Sequence, residues 1–474
     1  MISSQIYQVE IKMNIHPNAR TLRRGADSVR NALKSVAGVL SLLVLTSFFN
    51  AAQAVPSYAR QTGAECASCH IGAFGPQLTP FGIRFKIGGY VDSDGAADKV
   101  PVSGMVVANS THTSKNASEA DTLEKFKPNN NSAVQEGSIF LAGRLFENIG
   151  SFVQATYSGI ERKWGLDQLD VRYARNLNVA GKDTTLGLSF NNNPTLTDPF
   201  HTVGQWRFPY TSSDFNVGYG PSPLMESLGG AVWGANAYAM VDDHFYGELG
   251  LYNTASAKAL KVFNGSDMGV FKGPGRYGRL AYFQDNKRDN FSVGVFGFGA
   301  NVQPDRTNLG VADNFRDYGV DASYQFLGNR KHIFSVNSSY TWEKQKLNFT
   351  NAVLEESEHL KNDLKQFRLS TAYNYNNTWG SSVAVFNSRG SQDMLRYSNA
   401  VNGSPTTQGY ILQADWTPWG KESAWGSPFA NVRLGLQYTG YKKFMGGTTY
   451  LDGSGNARRA SDNNTTMLFL WTAI

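Results

Sequence analysis

Apolar and polar residues alternate along most of this chain, in runs that repeat from Val100 to the C-terminus. Between Tyr318 and Phe326, apolar residues occupy every second position, and Gly, Asp, Ser and Gln lie between them. A similar pattern returns between Phe334 and Trp342. A period of two residues places successive side chains on opposite faces of a strand. Each run therefore predicts a β-strand with one apolar and one polar face.

The alternation predicts sixteen strands, at 100–112, 137–147, 151–160, 166–177, 184–192, 229–240, 244–253, 276–285, 291–301, 315–327, 332–344, 364–376, 380–389, 408–417, 429–440 and 464–474. Short turns and long polar links alternate between them, apart from the short link 161–165 and the intermediate link 418–428. Outer-membrane barrels show this arrangement, with tight periplasmic turns and long external loops. We therefore predict an all-β fold, a 16-stranded antiparallel outer-membrane β-barrel. A soluble sandwich or propeller is the alternative, and it favours shorter strands.

The composition agrees with an exported β protein. The chain contains 48 Gly, 29 Phe, 22 Tyr and 9 Trp, and 17% of its residues are charged. Aromatic residues are enriched where a barrel meets the two membrane interfaces. Because Tyr246, Tyr252, Tyr340, Trp342 and Trp471 stand near predicted strand ends, we expect them in an aromatic girdle on the outer surface.

Residues 1–54 have the features of a cleaved secretory signal. Basic residues such as Arg23 and Lys34 precede an apolar run from Val36 to Phe49, and Ala52-Gln53-Ala54 supplies an A-x-A cleavage site. Translation begins at Met1 or Met13. We expect the mature chain to begin at Val55 and to be exported to the outer membrane of a Gram-negative cell.

The net charge of the mature chain excludes one class of partner. The whole chain has 44 Lys and Arg against 38 Asp and Glu, and residues 1–54 hold six of the former and two of the latter. The mature chain therefore carries a net charge of +2, so the basic character belongs mostly to the signal. We expect outer-membrane lipid around the barrel and no nucleic-acid partner.

The only two cysteines, Cys66 and Cys69, are followed at once by His70. C-x-x-C-H is the attachment sequence of c-type haem. The two thiols form thioethers with the haem vinyl groups, and the imidazole becomes the proximal iron ligand. Three other interpretations are open: a redox-active or structural disulfide, a zinc site, and a buried inert pair of cysteines. We predict one covalently attached haem c.

The motif lies in a short segment, residues 55–99, between the signal and the barrel at 100–474. Thr79 as N-cap and Pro80 at the first helical position predict a short helix through Lys86. About 45 residues cannot bury much core alone, so we expect this segment to borrow walls from the barrel. Arg84 and Lys86 are candidates to pair with the haem propionates, or are simply solvated.

At these residues the sequence resembles a known family, the fused monohaem cytochrome–porins of the outer membrane, of the iron-oxidising type. The matching residues are Val55 to Gly63, Cys66 to His70, Phe81 to Tyr90, and Ser103-Gly104-Met105. The resemblance is sharp over about residues 55–112 and beyond them rests on barrel architecture. It implies an electron conduit in which extracellular Fe(II) reduces the haem and a periplasmic c-type cytochrome, or a similar soluble carrier, receives the electron. The haem segment would plug the periplasmic half of the barrel.

The second axial ligand of the iron is not set by the motif. Met105 and His112 are the nearest downstream candidates. They are seven residues apart on one predicted strand, so their side chains face opposite sides. Met105 shares its face with the polar residues Asn109 and Thr111, which favours Met105 as the inward-facing candidate. An ordinary lumen methionine, with another ligand or an open sixth site, is the alternative.

Two other functions remain open from the sequence. The barrel could be a passive solute porin whose haem segment is only a plug or redox gate. It could also be an electron conduit for another donor, such as a reduced sulfur compound or a solid mineral. No Ser/His/Asp triad or second cofactor motif supports a hydrolytic or multi-cofactor enzyme.

Overall fold

The computed structural model describes residues 55–95, 100–307, 310–421, 424–426 and 430–474. The predicted signal peptide, residues 1–54, lies outside the described residues. No helix in the described ranges is both long and apolar enough to cross a membrane.

Sixteen long strands of the described chain form the barrel, and we number them in chain order. They are β1 Val102–Thr113, β2 Asn131–Phe146, β3 Ile149–Ser158, β4 Lys163–Val179, β5 Lys182–Asn191, β6 Val232–Val241, β7 Phe245–Thr254, β8 Gly275–Asp285, β9 Asp289–Gln303, β10 Asp313–Phe326, β11 His332–Lys346, β12 Lys361–Tyr375, β13 Trp379–Gly390, β14 Thr407–Trp416, β15 Asn431–Lys443 and β16 Thr465–Ala473. Short strands at Val270–Phe271, Thr449–Leu451 and Ala457–Arg459 lie outside this series. Every predicted strand is confirmed, with ends that differ by a few residues.

The sheet closes on itself. Each strand pairs antiparallel with the next, and β1 also pairs with β16, from Met105 opposite Ala473 to Thr113 opposite Thr465. Closure gives every strand two hydrogen-bonded neighbours, which a strand in a bilayer requires because lipid offers the backbone no partners. The fold is therefore a closed, antiparallel, 16-stranded β-barrel, as predicted.

The two faces of each strand differ in character. Leu249 and Leu280 point outward and are 73% and 64% exposed, whereas their chain neighbours Glu248 and Arg279 are 3% and 2% exposed. The apolar outer face suits lipid, and the polar inner face is buried in the barrel.

Three of the five aromatic residues expected in the outer girdle face the interior instead. Tyr246, Tyr252 and Trp471 are buried, whereas Tyr340 is on the outer face. The prediction used nearness to strand ends, but position parity decides the face. Tyr252, for instance, has the parity of the inward-facing Glu248.

The links between strands distinguish the two ends of the barrel. Short turns such as 180–181, 242–244 and 286–288 lie at one end, which we call the short-turn end. Long links such as 114–130 and 255–274 lie at the other, which we call the loop end. The long links include two helices, α4 Ala257–Phe263 and α5 Asn348–Ala352, and 3₁₀ turns at Gly204–Trp206, Leu224–Ser227 and Ala460–Asn463. In outer-membrane barrels the short turns face the periplasm.

One long link folds into the barrel rather than out of it. We predicted an external polar connection at 193–228, but Leu196, Thr197 and Asp198 are fully buried. We call residues 192–231 the inward segment. It is anchored by barrel residues: Asp317 and Glu343 accept hydrogen bonds from its backbone N–H groups at 2.7 and 2.6 Å. The many Asn, Thr and Asp residues of this segment are typical of a surface loop. In this barrel the segment instead forms hydrogen bonds to the polar inner wall.

The N-terminal segment forms three short helices, α1 Pro56–Thr62, α2 Cys66–Cys69 and α3 Pro80–Ile87, with a 3₁₀ turn at Ile71–Ala73. Helix α3 is confirmed with its predicted cap, since the Thr79 hydroxyl accepts a hydrogen bond from the Gly82 N–H. The segment bonds to widely separated strands near the short-turn end. Gln325 of β10 donates to the Leu78 carbonyl, Tyr238 of β6 to that of Ile87, and Asn431 of β15 to that of Ala73. It therefore crosses the lumen at that end.

A buried ion pair ties the inward segment to the wall. Arg279 of β8 donates two hydrogen bonds of 2.8 Å to Asp321 of β10 and lies 3.2 Å from Asp198 of the inward segment. All three side chains are fully buried. Removing the guanidinium leaves two carboxylates without their cation.

We expect Arg279→Met to lower the free energy of unfolding by about 3–5 kcal/mol, because it breaks a buried pair from one side. Guanidinium titration of the barrel in detergent measures this. The matched control is Arg84→Met, since Arg84 pairs with Asp243 and Asp285 at the exposed rim and such pairs are worth about 1 kcal/mol or less. Equal losses in the two variants would contradict this account.

Candidate functional site

The C-x-x-C-H residues form one compact helical turn. The His70 N–H donates to the Cys66 carbonyl at 2.9 Å, which closes the turn. The Thr79 N–H donates to the Cys69 carbonyl at 2.9 Å and so fastens the turn to helix α3. A Cβ on Gly82 would lie 2.5 Å from that same carbonyl, so only glycine allows α3 to pack this closely.

A large cavity opens beside this turn, lined by Cys66, Cys69 and His70 together. Its free volume, including the open mouth, is about 1530 Å³. Its walls are mainly apolar and aromatic, and include Phe74, Phe85, Phe140, Phe152, Trp206 and Trp471. Of these, only Phe74 and Phe85 belong to the N-terminal segment. The segment thus borrows walls from the barrel and the inward segment, as expected from its length.

Several polar atoms at the cavity lack partners. Glu65 Oε2, His70 Nδ1, Gln168 Oε1 and Trp471 Nε1 are buried without a hydrogen bond of standard geometry, and all four residues line the cavity. Buried polar groups are normally satisfied, so these four atoms are available to a polar group bound in the cavity. A haem, with an apolar macrocycle and polar propionates, matches both kinds of lining.

The cysteines do not resemble a redox-active pair. Burial raises the pKa of Cys66 to about 11 and that of Cys69 to about 12. Reactive cysteines have a lowered pKa, because the thiolate is the reacting form. Burial is also the main reason that the pKa of His70 falls to about 4, with the Gly75 backbone opposing it and Arg433 adding to it. His70 is therefore a neutral imidazole at ordinary pH, the form that ligates iron.

The arrangement does not resemble a zinc site either. No group of three His, Cys, Asp or Glu side chains in the described ranges is placed to hold one metal ion. A structural zinc site needs four such ligands that converge. Two thiols and an imidazole that line one cavity from a single helical turn suit a porphyrin, which takes two thioether bonds and one iron ligand from this motif.

The two candidates for the second axial ligand lie in different places. Met105 lines the cavity and packs with Phe74 and Trp471. The His112 side chain is exposed near the loop end, where its Nδ1 lies 2.8 Å from Asn130 Oδ1. Because the two residues face opposite sides of β1, as predicted, the alternative ligand His112 does not fit the geometry. Met105 stays a prediction.

The structure also separates Arg84 from Lys86. Arg84 is paired with Asp243 and Asp285 at the rim, so it is not available to a haem propionate. Lys86 lines the cavity, and its Nζ donates to the Leu196 carbonyl at 2.7 Å and lies 2.9 Å from His201 Nε2.

His201 is a cavity residue that the sequence did not single out. It belongs to the inward segment, and its ring stacks on Trp206 with centroids 4.2 Å apart. Burial, followed by the nearby Lys86, holds the pKa of His201 well below its usual value. The sequence pattern predicts an external loop for the inward segment, so nothing near His201 in the sequence indicates that it lines a cavity. Only the inward course of the chain brings it to the cavity.

Comparisons with known proteins give only distant similarities. A scan against models of known protein families and a search of curated proteins found no match. Among solved structures, the chain is similar to the outer membrane channel DcaP of Acinetobacter baumannii, with 10% identity over 80% of this chain and 99% of that one, and a TM-score of 0.42. It is also similar to Salmonella typhi OmpF in complex with daunomycin, with 12% identity over 79% of this chain and 97% of that one, and a TM-score of 0.47. A third similar structure is an anion-selective porin from Comamonas acidovorans, with 10% identity over 79% of this chain and 99% of that one, and a TM-score of 0.41. Identities this low say nothing about what this chain binds or transports.

The chain is a porin-like outer-membrane β-barrel. That conclusion rests on its closed antiparallel sheet, its alternation of apolar outer and polar inner side chains, and its difference between turn and loop ends.

The buried lysine gives a testable pH dependence. Burial, followed by the charge of Arg172, lowers the pKa of Lys86 to about 7 from 10.5. Between these values the unfolded chain binds one more proton than the folded chain, so the free energy of unfolding rises with pH across this window, by at most about 1.4 kcal/mol per pH unit. We expect Lys86→Met to flatten this rise in guanidinium titrations at the two ends of the window. Lys182→Met, a change at the exposed first residue of β5, should leave it intact, and an unchanged slope in Lys86→Met would contradict the assignment.

Proposed function

We propose that this chain is an outer-membrane electron conduit with one covalently attached haem c. Cys66 and Cys69 hold the haem by thioether bonds, and His70 is the proximal iron ligand. Held there, the haem would supply one-electron chemistry: extracellular Fe(II) would give up one electron and become Fe(III), and a periplasmic c-type cytochrome or a similar soluble carrier would receive that electron.

One observation carries this proposal. The attachment residues line a large, mainly apolar cavity whose remaining walls come from the barrel and the inward segment. A short segment with a haem motif would otherwise have no means of covering a porphyrin. The unsatisfied polar atoms around the cavity support the presence of a bound group there.

The position of the segment supports a conduit. The N-terminal segment bonds to β6, β10 and β15 near the short-turn end, the periplasmic end in outer-membrane barrels. A carrier in the periplasm would thus meet the side of the barrel that holds the motif. A thioether ligand from Met105 would raise the reduction potential relative to two imidazoles, which suits a haem that accepts electrons from iron.

A passive solute porin is the second candidate. The observation that favours it is the barrel itself, since this architecture, with its polar inner face, commonly encloses solute channels. The inward and N-terminal segments oppose it, because both lie inside the barrel and bond to its polar inner wall. A conduit for another donor, such as a reduced sulfur compound, would use the same haem cavity.

The proposal predicts that the purified mature chain is heavier than its polypeptide by one haem, and that Cys66→Ala/Cys69→Ala lacks it. Haem-stained mass analysis of outer-membrane fractions tests attachment and location together. Stopped-flow absorbance should then show reduction of the haem by Fe(II) in detergent.

Haem that stays oxidised in Fe(II) would exclude iron as the donor. An open pore in planar bilayers with haem in place would favour the porin. A mature chain without haem would overturn the conduit.

The distal ligand has a separate test. We expect Met105→Ala to lower the reduction potential and to alter the low-spin absorption spectrum, because the iron loses its thioether. His112→Ala is the matched control and should change neither, since that side chain lies outside the cavity. If potential and spectrum are both unchanged in Met105→Ala, Met105 is an ordinary wall residue.

A further inference from the structure

The cavity has an acidic side that the haem motif does not explain. Glu136 of β2 and Asp167 of β4 line it, and neither takes part in any ion pair recorded among the described residues. Lys86 is the one lysine or arginine among the described lining residues, and it is already bonded to Leu196 and His201. The two carboxylates therefore face the cavity without a protein cation.

Two β-bulges create this acidic side. Between β1 and β2, Val107 pairs with Glu136 and Ala108 with Val134, so the intervening residue of β2 is extra. Between β3 and β4, Gln154 pairs with Gln168 and Ala155 with Leu166, which leaves Asp167 extra. A bulge turns two consecutive side chains to the same face. For this reason both Asp167 and Gln168 point into the cavity, where regular alternation would allow only one.

Gln168 supplies an independent sign of a ligand. Its side chain is 6% exposed, it lines the cavity, and its Oε1 has no hydrogen-bond partner. An amide oxygen can only accept hydrogen bonds or bind a cation. Because no protein group donates to the buried Gln168 Oε1, this oxygen is available to a bound cation or to a donor group of a ligand. Glu136 and Asp167 have no ion-pair partner, although Asp167 Oδ2 accepts a 3.3 Å hydrogen bond from the Thr156 hydroxyl. With Gln168 they supply oxygen atoms of the kind that hard divalent cations prefer.

The acidic side lies toward the loop end of the cavity. Glu136 is near the beginning of β2 and Asp167 near the beginning of β4, and both strands begin at the loop end. The Asp214 N–H, in the inward segment, donates to Gln135 Oε1 at 3.0 Å, which places Asp214 beside the chain neighbour of Glu136. Glu161, in the link before β4, is exposed at the loop end. Carboxylates therefore lie both at the loop end and at the cavity wall, which would draw cations inward.

We propose that Glu136, Asp167 and the amide oxygen of Gln168 bind a divalent metal cation beside the haem cavity. Because no third carboxylate or imidazole among the described residues is placed to complete the shell, the cation keeps part of its water, as hard cations held by one or two carboxylates commonly do. The occupant follows from the proposed function, on which this identification rests: it is the donor Fe(II). The bound ion gives one electron to the ferric haem and leaves as Fe(III).

Manganese(II) alone is the first probe, because its binding is measured by electron paramagnetic resonance whether or not haem is present. We expect the wild-type barrel to bind one Mn(II) and Glu136→Gln/Asp167→Asn to bind it at least tenfold more weakly. Glu147→Gln, a matched charge removal at the short-turn end, should bind like wild type. Gln168→Leu keeps both carboxylates, so it should weaken Mn(II) binding by a smaller factor than the double variant does. The heat-dependent shift in gel mobility that is typical of folded barrels verifies that each variant is folded.

Reduction kinetics are the second readout. The half-saturating Fe(II) concentration for haem reduction should rise at least tenfold in Glu136→Gln/Asp167→Asn, whereas reduction by uncharged hydroquinone should not change. Equal Mn(II) binding in wild type and the double variant, or none in wild type, overturns the site and leaves the conduit standing. The purified protein could instead carry no haem and still bind Mn(II), with this binding lost in Glu136→Gln/Asp167→Asn. That result overturns the conduit and leaves the site standing.

Discussion

Backbone hydrogen bonding in lipid is the constraint on which this structure depends. A strand in the bilayer has no water to satisfy its N–H and C=O groups, so the sheet must close, and the pairing of β1 with β16 closes it. Closure forces one face of every strand toward lipid and the other toward the interior. The alternation of apolar and polar residues along the chain is the direct consequence.

A closed wall leaves an interior, and this chain fills it with two of its own segments. Arg172 shows how they are joined: it is fully buried, donates to the carbonyl of Lys86 in the N-terminal segment and to that of Thr197 in the inward segment, and pairs with Asp170 on its own strand. A guanidinium has enough donors to satisfy three partners at once. The polar lumen that would otherwise hold water serves here as a binding surface for backbone carbonyls.

The cavity that remains has two chemically distinct sides. One side has the basic side chains of Lys86 and His201. The other side is acidic and has Glu136, Asp167 and Gln168. The motif residues Cys66, Cys69 and His70 line the same cavity. Helix α3, the inward segment and two β-bulges bring these groups together from distant parts of the chain. The asymmetry gives the proposed electron path a direction, because a metal cation would reach the acidic side from the loop end.

The sequence alone determined the strands, their order and the haem motif, because these depend on residues close together in the chain. Alternation sets a strand, Thr79 and Pro80 set the beginning of helix α3, and the parity of β1 separates Met105 from His112. Only the tertiary structure decided which aromatic residues face inward, that residues 192–231 enter the lumen, and that His201, Glu136 and Asp167 share one cavity. Those outcomes depend on a closed interior with polar walls and on β-bulges that shift the parity of a strand. Neither feature leaves a signal in the local pattern, since each arises from pairing between strands rather than along one.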